Sequence, residues 1–346
     1  MPKDFLIGCN GRGAQASSID HPISLEEASI DEQFRLVKET GVFDYFDRIP
    51  LREDFDTYVN AVEKYDLPIE TVSWFYRLGA DEARMSENLQ IAREIGAKMH
   101  NVMIFTHHAD SHVVTNDEIV DCYLSIFDEA ASLGVEIAFE LHVNMWSEDF
   151  RRVTSVALAV QDRGIRFNYT LDYSHVNFKI DNPEEQYISG IREDVEAERV
   201  ILDPFEAGNL CDEWLELGIV RWLQVRAAVP NGPKNIWSKQ EPGVSVAGLP
   251  DLPEGSDPVI GRGIMYPFTK PAPGEWHSPW HAYKLEPTKE VVRKVLRYHA
   301  NDPERRLDFI TTEMINLPDY GHNAKFSLIG QNAAIAQFVR DTWAEI

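Results

Sequence analysis

Three acidic residues that each end a short apolar stretch carry the strongest chemical signal in this chain. They are Glu140 in VEIAFELH, Asp172 in IRFNYTLD and Glu313 in LDFITTE, with Gln224 of VRWLQVRA between them in sequence. Carboxylate and carbonyl oxygens are the donors a hard divalent cation takes, and such a cation keeps positions open for water or substrate oxygens. Each residue also has an ordinary alternative, since an inward acid can pair with Arg166 or Arg226 and Gln224 can satisfy backbone groups. What sets the four apart is their shared place at the predicted C-terminal ends of strands. His142 follows Glu140 by two residues and so shares its strand face. A neutral imidazole there is a suitable base for a proton acidified by a neighbouring carbonyl, while a bound cation would stabilise the enolate oxygen. A lone histidine at a strand end is equally often a hydrogen-bonded core group. His107 and His108 are further candidates, although only one can share the inward side if their strand continues.

The elements that must position these residues alternate. In 135–142, Ile137, Phe139 and Leu141 point one way, and Glu136, Ala138, Glu140 and His142 the other. In 165–172, Ile165, Phe167, Tyr169 and Leu171 oppose Arg166, Asn168, Thr170 and Asp172. Strands are expected at 5–9, 42–47, 68–75, 98–105, 135–142, 165–172, 220–227 and 307–313. Helices are expected near 29–40, 53–65, 80–95, 116–133, 149–162, 184–217 in pieces, 287–300 and 327–344. Glycine marks several joints, with Gly41 and Gly96 after helices and Gly134 and Gly164 before strands. Eight strand and helix pairs predict a closed (β/α)₈ barrel, whose strand ends converge on one mouth; a doubly wound open sheet fits the alternation less well.

Residues 1–346 read as one such domain, with an insertion at 228–287. That stretch holds eleven of the nineteen prolines together with Trp237, Trp276 and Trp280. Connections between strand and helix usually need only about 2–6 residues, so a segment of this size is expected to be a lid or a partner-docking surface, with self-packed decoration as the alternative.

Composition narrows the function classes. The 346 residues are 44% hydrophobic, enough for a sizeable core, and the net charge of −24 disfavours polyanions and anionic membranes. Cys9, Cys122 and Cys211 lack metal-site spacing, which sets aside a cysteine-rich zinc site. No apolar run reaches about 18 residues, and MPKDFLIGCNGRG has no signal-peptide core, so a cytoplasmic location is expected.

At FELHVN (139–144), LDYSH (171–175), the Gln224 region, GRG (261–263) and TTEM (311–314), the chain resembles the xylose isomerase-like barrel superfamily of sugar isomerases, ketose 3-epimerases, inosose dehydratases and an endonuclease branch. The resemblance spans nearly the whole chain. It implies that Glu140, Asp172 and Glu313 bind a divalent metal, with Mn²⁺ expected first and Mg²⁺ or Co²⁺ as alternatives. His175 would then meet substrate or a further metal. Gln224 departs from the histidine ligand of many members, which leaves the fourth ligand open. The endonuclease branch, with its histidine-rich three-zinc site, fits poorly, because the third strand ends at Trp74 and the seventh offers Gln224.

Length, Gln224 and the proline-rich insertion look most like the catalytic subunit of bacterial C-glycoside deglycosidases, which works with a smaller β-rich partner on 3-oxo-C-glycosides. That resemblance implies a lyase in which His142 removes the C2 proton, Glu313 or His175 orients hydroxyls, and His107, His108, Arg226 and Trp146 contact substrate. The alternatives are a sugar isomerase or ketose 3-epimerase acting through an enediolate without a partner, with Glu140 and Glu313 exchanging protons, and a non-catalytic carbohydrate-binding subunit.

Overall fold

Residues 5–232, 239–240, 254, 259–260, 265–276, 278–304, 306–317 and 324–346 are described by a computed structural model of the chain. Eight parallel strands close into a barrel: β1 (Leu6–Asn10), β2 (Tyr45–Asp47), β3 (Ile69–Tyr76), β4 (Met99–Ile104), β5 (Glu136–Glu140), β6 (Tyr169–Asp172), β7 (Val220–Val225) and β8 (Phe309–Thr312). Each neighbours the next in sequence, and β8 returns to β1 with Leu6 beside Phe309 and Cys9 beside Thr312. The outer layer is built from α1 (Ile30–Thr40), α2 (Phe55–Tyr65), α3 (Glu82–Ile95), α4 (Asn116–Leu133), α5 (Arg151–Gln161), the short helices α6 (Ser174–Asn177), α7 (Pro183–Ile188), α8 (Arg192–Glu196) and α9 (Leu210–Glu216), then α10 (Glu286–Asn301) and α11 (Leu328–Glu345). None of the described helices is long and apolar enough to cross a membrane. This is the (β/α)₈ architecture the alternation predicts.

Local chemistry explains the element ends. Thr115 and Glu118 cap α4 reciprocally, each side chain accepting from the other's backbone N–H, and Gly134 ends that helix at φ 71°. A left-handed residue there is cheapest as glycine. Most strands are shorter than their alternation suggests, β6 and β2 by half. Ahead of β6 the Tyr123 hydroxyl donates to Arg166 O at 2.9 Å and accepts from Asn168 N at 2.9 Å, so a side chain takes the place of ladder bonds. The predicted 42–47 likewise narrows to Tyr45–Asp47, with only Asp44 N reaching back to Ile7 O.

The barrel floor is filled by Tyr45, Met99, Ala138, Trp222 and Phe309. Gly8 makes room for it: a Cβ at that position would lie 2.2 Å from the Tyr45 ring. The Tyr45 hydroxyl lies 2.7 Å from Thr311 Oγ1, which also accepts from Trp222 Nε1 at 2.9 Å, so the polar ends of two large floor residues are satisfied inside the barrel.

Between β7 and α10 the chain makes a two-residue antiparallel ribbon, Lys239–Gln240 with Val259–Ile260. The described part from Met265 onward packs inward, with Met265, Tyr266 and Phe268 buried and Tyr266 N donating to Ala227 O at 2.7 Å. Trp276 packs against Tyr266 and Phe326, and Trp280 Nε1 donates to Pro267 O at 2.8 Å. These two tryptophans are half-buried, packed against the core by Tyr266, Phe326 and the Pro267 carbonyl. Trp237 and the GRG motif at 261–263 lie outside the described residues.

One buried network makes stability depend on pH. Asn88 Nδ2 donates to Tyr76 OH at 2.7 Å, leaving the Tyr76 proton for His100 Nε2 at 2.6 Å, and His100 Nδ1 points at Val72 O at 3.3 Å. His100 is therefore held neutral, and burial pushes its pKa down to about 4. Because the folded pKa is depressed, this contribution is present above the unfolded value near 6.5 and lost as pH falls toward 4, at most about 3 kcal/mol. The gap in urea midpoint between wild type and His100→Gln is expected to narrow from pH 7 to pH 4.5. A gap that stays constant would show that the neutral imidazole is not a source of acid lability.

Candidate active site

The inward residues at the C-terminal strand ends form one polar layer above the floor. Glu140 closes β5, and Ser147 fixes the chain beyond it by donating to Glu140 O at 2.6 Å while accepting from His142 N at 3.2 Å. Asp172 closes β6 in register with Gln224 of β7, and Gln224 faces Thr311 on its other side. Asp172 Oδ1 accepts from Ser174 N at 3.0 Å, which starts α6 and brings His175 back over the carboxylate. Glu313 follows β8, its N–H donating to Val225 O at 3.0 Å. Arg226 follows β7 and clamps that end, with Nε on Glu313 O at 3.0 Å, Nη2 on Glu313 Oε2 at 2.5 Å and Nη2 on Asp172 Oδ2 at 3.2 Å.

All of these groups are buried, so their charges are strongly coupled. Burial raises the Asp172 pKa, but the Arg226 guanidinium and His175 outweigh it and hold the carboxyl well below the usual range. Burial first, and then the charges of Glu313 and Asp172, push Glu140 well above the usual range. Glu313 is pushed up to about 8 by burial against the pull of Arg226. His142 is held neutral by burial and by His175, and its Nδ1 lies 2.6 Å from Val143 O. A carbonyl only accepts, so Nδ1 carries the proton and the basic lone pair is on Nε2. The two imidazoles stand 4.2 Å apart, centroid to centroid.

The donor set fits a divalent cation. Glu140, Asp172 and Glu313 each offer an oxygen within 4.8 Å of the others, and Glu140, His142 and His175 offer a second such group. Both side-chain atoms of Gln224 are buried without a hydrogen-bond partner, as are both ring nitrogens of His175 and Asp172 Oδ2. Asp172 Oδ2 has ion-pair contacts to Arg226 and, at 3.3 Å, to His175, neither with hydrogen-bond alignment. Buried polar atoms of this kind are normally satisfied, and a cation would satisfy several at once.

A cavity of about 620 Å³ opens above this layer, lined by Glu140, His142, Arg226 and Glu313 among others. Asp172, His175 and Gln224 lie behind that surface. The structure does not bring His107, His108 or Trp146 to the cavity wall. Trp146 is buried against Phe139 under Arg152, and His108 turns away to stack on His112, since both belong to connections that fold back from the mouth.

Three polar residues not singled out from the sequence also belong here. Asn101 donates to Glu140 Oε2, Asn10 donates to Glu313 Oε1 at 3.2 Å, and Asp47 accepts from Thr71 Oγ1 at 2.7 Å. Burial pushes Asp47 up to about 7. An inward amide in MHNVMI and a carboxylate closing YFD were the available signals.

No family model matches the chain, and no curated protein matches it. Solved structures do match in fold. A xylose isomerase-like TIM barrel protein from Mycobacterium smegmatis in complex with magnesium has 13% identity and a TM-score of 0.51, covering 98% of each chain. A probable 3-DHS dehydratase from Bacillus anthracis has 13% identity and a TM-score of 0.52, covering 96% of this chain and 98% of its own. A 3-keto-D-glucoside 4-epimerase from E. coli has 13% identity and a TM-score of 0.50, covering 97% and 99%. The chain thus shares the (β/α)₈ barrel fold of these proteins, among them a xylose isomerase-like one.

If the cluster holds a cation, Asp172→Asn and Glu313→Gln should each lower its affinity on the order of 10-fold or more. Metal content after dialysis against Mn²⁺, read by mass spectrometry, checks this. Unchanged content in both variants would defeat the assignment.

Proposed function

We propose that this chain is a divalent-metal-dependent carbohydrate enzyme that moves a proton on a carbon beside a carbonyl. The observation that carries the reading is His142, a neutral imidazole of fixed tautomer on the cavity wall beside a buried carboxylate cluster. Glu140, Asp172 and Glu313, with the Gln224 oxygen, would hold the cation, which supplies charge stabilisation for an enolate oxygen when bound. Mn²⁺ is the ion we expect, and the magnesium of the M. smegmatis barrel supports a hard divalent cation.

Within that class we favour a lyase acting on 3-oxo-C-glycosides. His142 Nε2 takes the C2 proton, the C2–H electron pair forms the enolate with the C3 carbonyl, and its return makes the C1–C2 double bond while the aglycone leaves with the C1–C electron pair and its carbon takes a proton from the His142 imidazolium. Arg226 holds Glu313 in place, Glu313 orients sugar hydroxyls, and His175, behind the wall, keeps Asp172 charged. A smaller β-rich partner belongs to this reading, with the 228–287 segment as its docking surface or as a lid.

The second reading is a sugar isomerase or 3-epimerase. It is supported by the named activity of the E. coli neighbour, a 3-keto-D-glucoside 4-epimerase. Both readings share the first proton removal and part after it.

His142→Ala is expected to keep fold and metal content while losing about 10²–10⁴-fold in rate. In D₂O the wild type should release aglycone from a 3-oxo-C-glycoside. Deuterium incorporated into an intact, inverted sugar would instead select epimerisation, and near-normal turnover of His142→Ala would move the base elsewhere. Replacing residues 241–258 with a short linker, which spares the inward-packed Tyr266 and Trp276, should leave the barrel folded and weaken partner association or raise KM. Unchanged association and KM would make the segment decoration.

A further inference from the structure

We propose that the loop between β4 and α4 carries a separate site for a borderline divalent cation of the Zn²⁺ type, with His108, Asp110 and His112 as ligands and Glu118 orienting the far ring nitrogen of His112. None of these residues lines the barrel cavity. His108, Asp110 and His112 each present a ligand atom within 4.8 Å of the others.

The loop is built rather than loose. His107 and Val113 form an antiparallel bridge, His108 N donates to His112 O at 2.9 Å, and Ser111 N donates to His108 O at 2.9 Å, with Ser111 at φ 76° to make the tight turn. Ligands at every second position therefore project to one side of a short hairpin. The His108 ring is seated on Gly79, where a Cβ would stand 2.3 Å from its Cε1, and Ala109 N is tied to Leu78 O at 2.8 Å.

Donor chemistry selects the ion. Asp110 Oδ1 lies 3.1 Å from His108 Nδ1 and 2.5 Å from His112 Nδ1, and His112 Nε2 lies 2.8 Å from Glu118 Oε1. Bonds of about 2.0–2.1 Å to tetrahedral zinc need donors somewhat more than 3 Å apart, so small rotations of Asp110 and His112 suffice. Two imidazoles with one carboxylate suit Zn²⁺, Cu²⁺ or Ni²⁺ better than Mg²⁺. Glu118 is already pinned, its Oε2 accepting from Thr115 N at 2.7 Å and Thr115 Oγ1 at 2.8 Å, which leaves Oε1 toward His112. The cluster is solvent-accessible, with side-chain exposures of 25%, 66% and 41%, so an ion can enter without opening the fold.

The test is Zn²⁺ equilibrium dialysis on untagged full-length protein, comparing wild type with His108→Gln/His112→Gln. The double variant is expected to bind one Zn²⁺ fewer, at an unchanged circular dichroism spectrum. That difference should appear whether or not the barrel cluster binds, and it should persist in Glu140→Gln/Asp172→Asn, so failure here is distinct from failure of the barrel metal. Asp110→Asn should weaken the site on the order of 10-fold. Equal Zn²⁺ binding with and without the two histidines would overturn the proposal.

Discussion

Three carboxylates cannot all be ionised at the buried end of a barrel when, among the described residues, a single guanidinium pairs with them. Two unit charges 4.8 Å apart repel by roughly 3 kcal/mol even at an effective dielectric of 20. The chain resolves this unequally. Arg226 and His175 keep Asp172 charged, while Glu140 and Glu313 are driven toward the protonated form. Around them the amides of Asn101 and Asn10 donate to the remaining oxygens. The layer thus carries more acceptor oxygens than nearby positive charge, and a divalent cation is the simplest way to balance it.

That imbalance persists only because the scaffold does not yield. Strand register places Asp172 and Thr311 on either side of Gln224, and the layer beneath is occupied by Tyr45 and Trp222, whose polar atoms are already spent on Thr311. The carboxylates therefore rest on a packed floor. Gly8 belongs to the same constraint, since a side chain there would displace Tyr45 and loosen the support of the polar layer.

Much of this was legible in the sequence. The eight-fold alternation, the inward face of β5 and the strand-end positions of Glu140, Asp172 and Glu313 follow from a period of two with glycine-marked helix ends. Arg226 was visible as the ordinary ion-pair partner of an inward acid, and the structure makes it that partner without removing the donor set for a cation. What the pattern could not give was anything set by a connection. His107, His108 and Trp146 lie past strand ends, where the direction of the chain depends on a bridge at Val113 or on burial against Phe139. The two described tryptophans of the insertion are placed against the core for the same reason. Asp47 and Asn101 were missed because each sits in a short, mostly apolar strand, Asn101 beside the outward His100, and only the closed barrel shows that they face the same centre.

The geometry also bears on which proton transfers the site can support. Inverting a carbon by direct exchange between two carboxylates needs one on each face of the reacting atom, each about 3–3.5 Å from it, so facing oxygens must stand about 6 Å or more apart. Glu140 and Glu313 present oxygens within 4.8 Å of each other, and Glu313 is further held by Arg226 and Asn10. One oxygen of each converges on a common point, as ligands to a shared cation do. His142 stands apart from that pinch, on the cavity wall and edge-on to Phe75. The walls contributed by β3 and β4, with Trp74, Phe75 and Met103, add no carboxylate. An imidazole acting from one side on a carbon whose carbonyl oxygen faces the carboxylates needs no second base on the opposite face. Elimination and epimerisation both begin with that one-sided proton removal, and they differ in what the enolate does next.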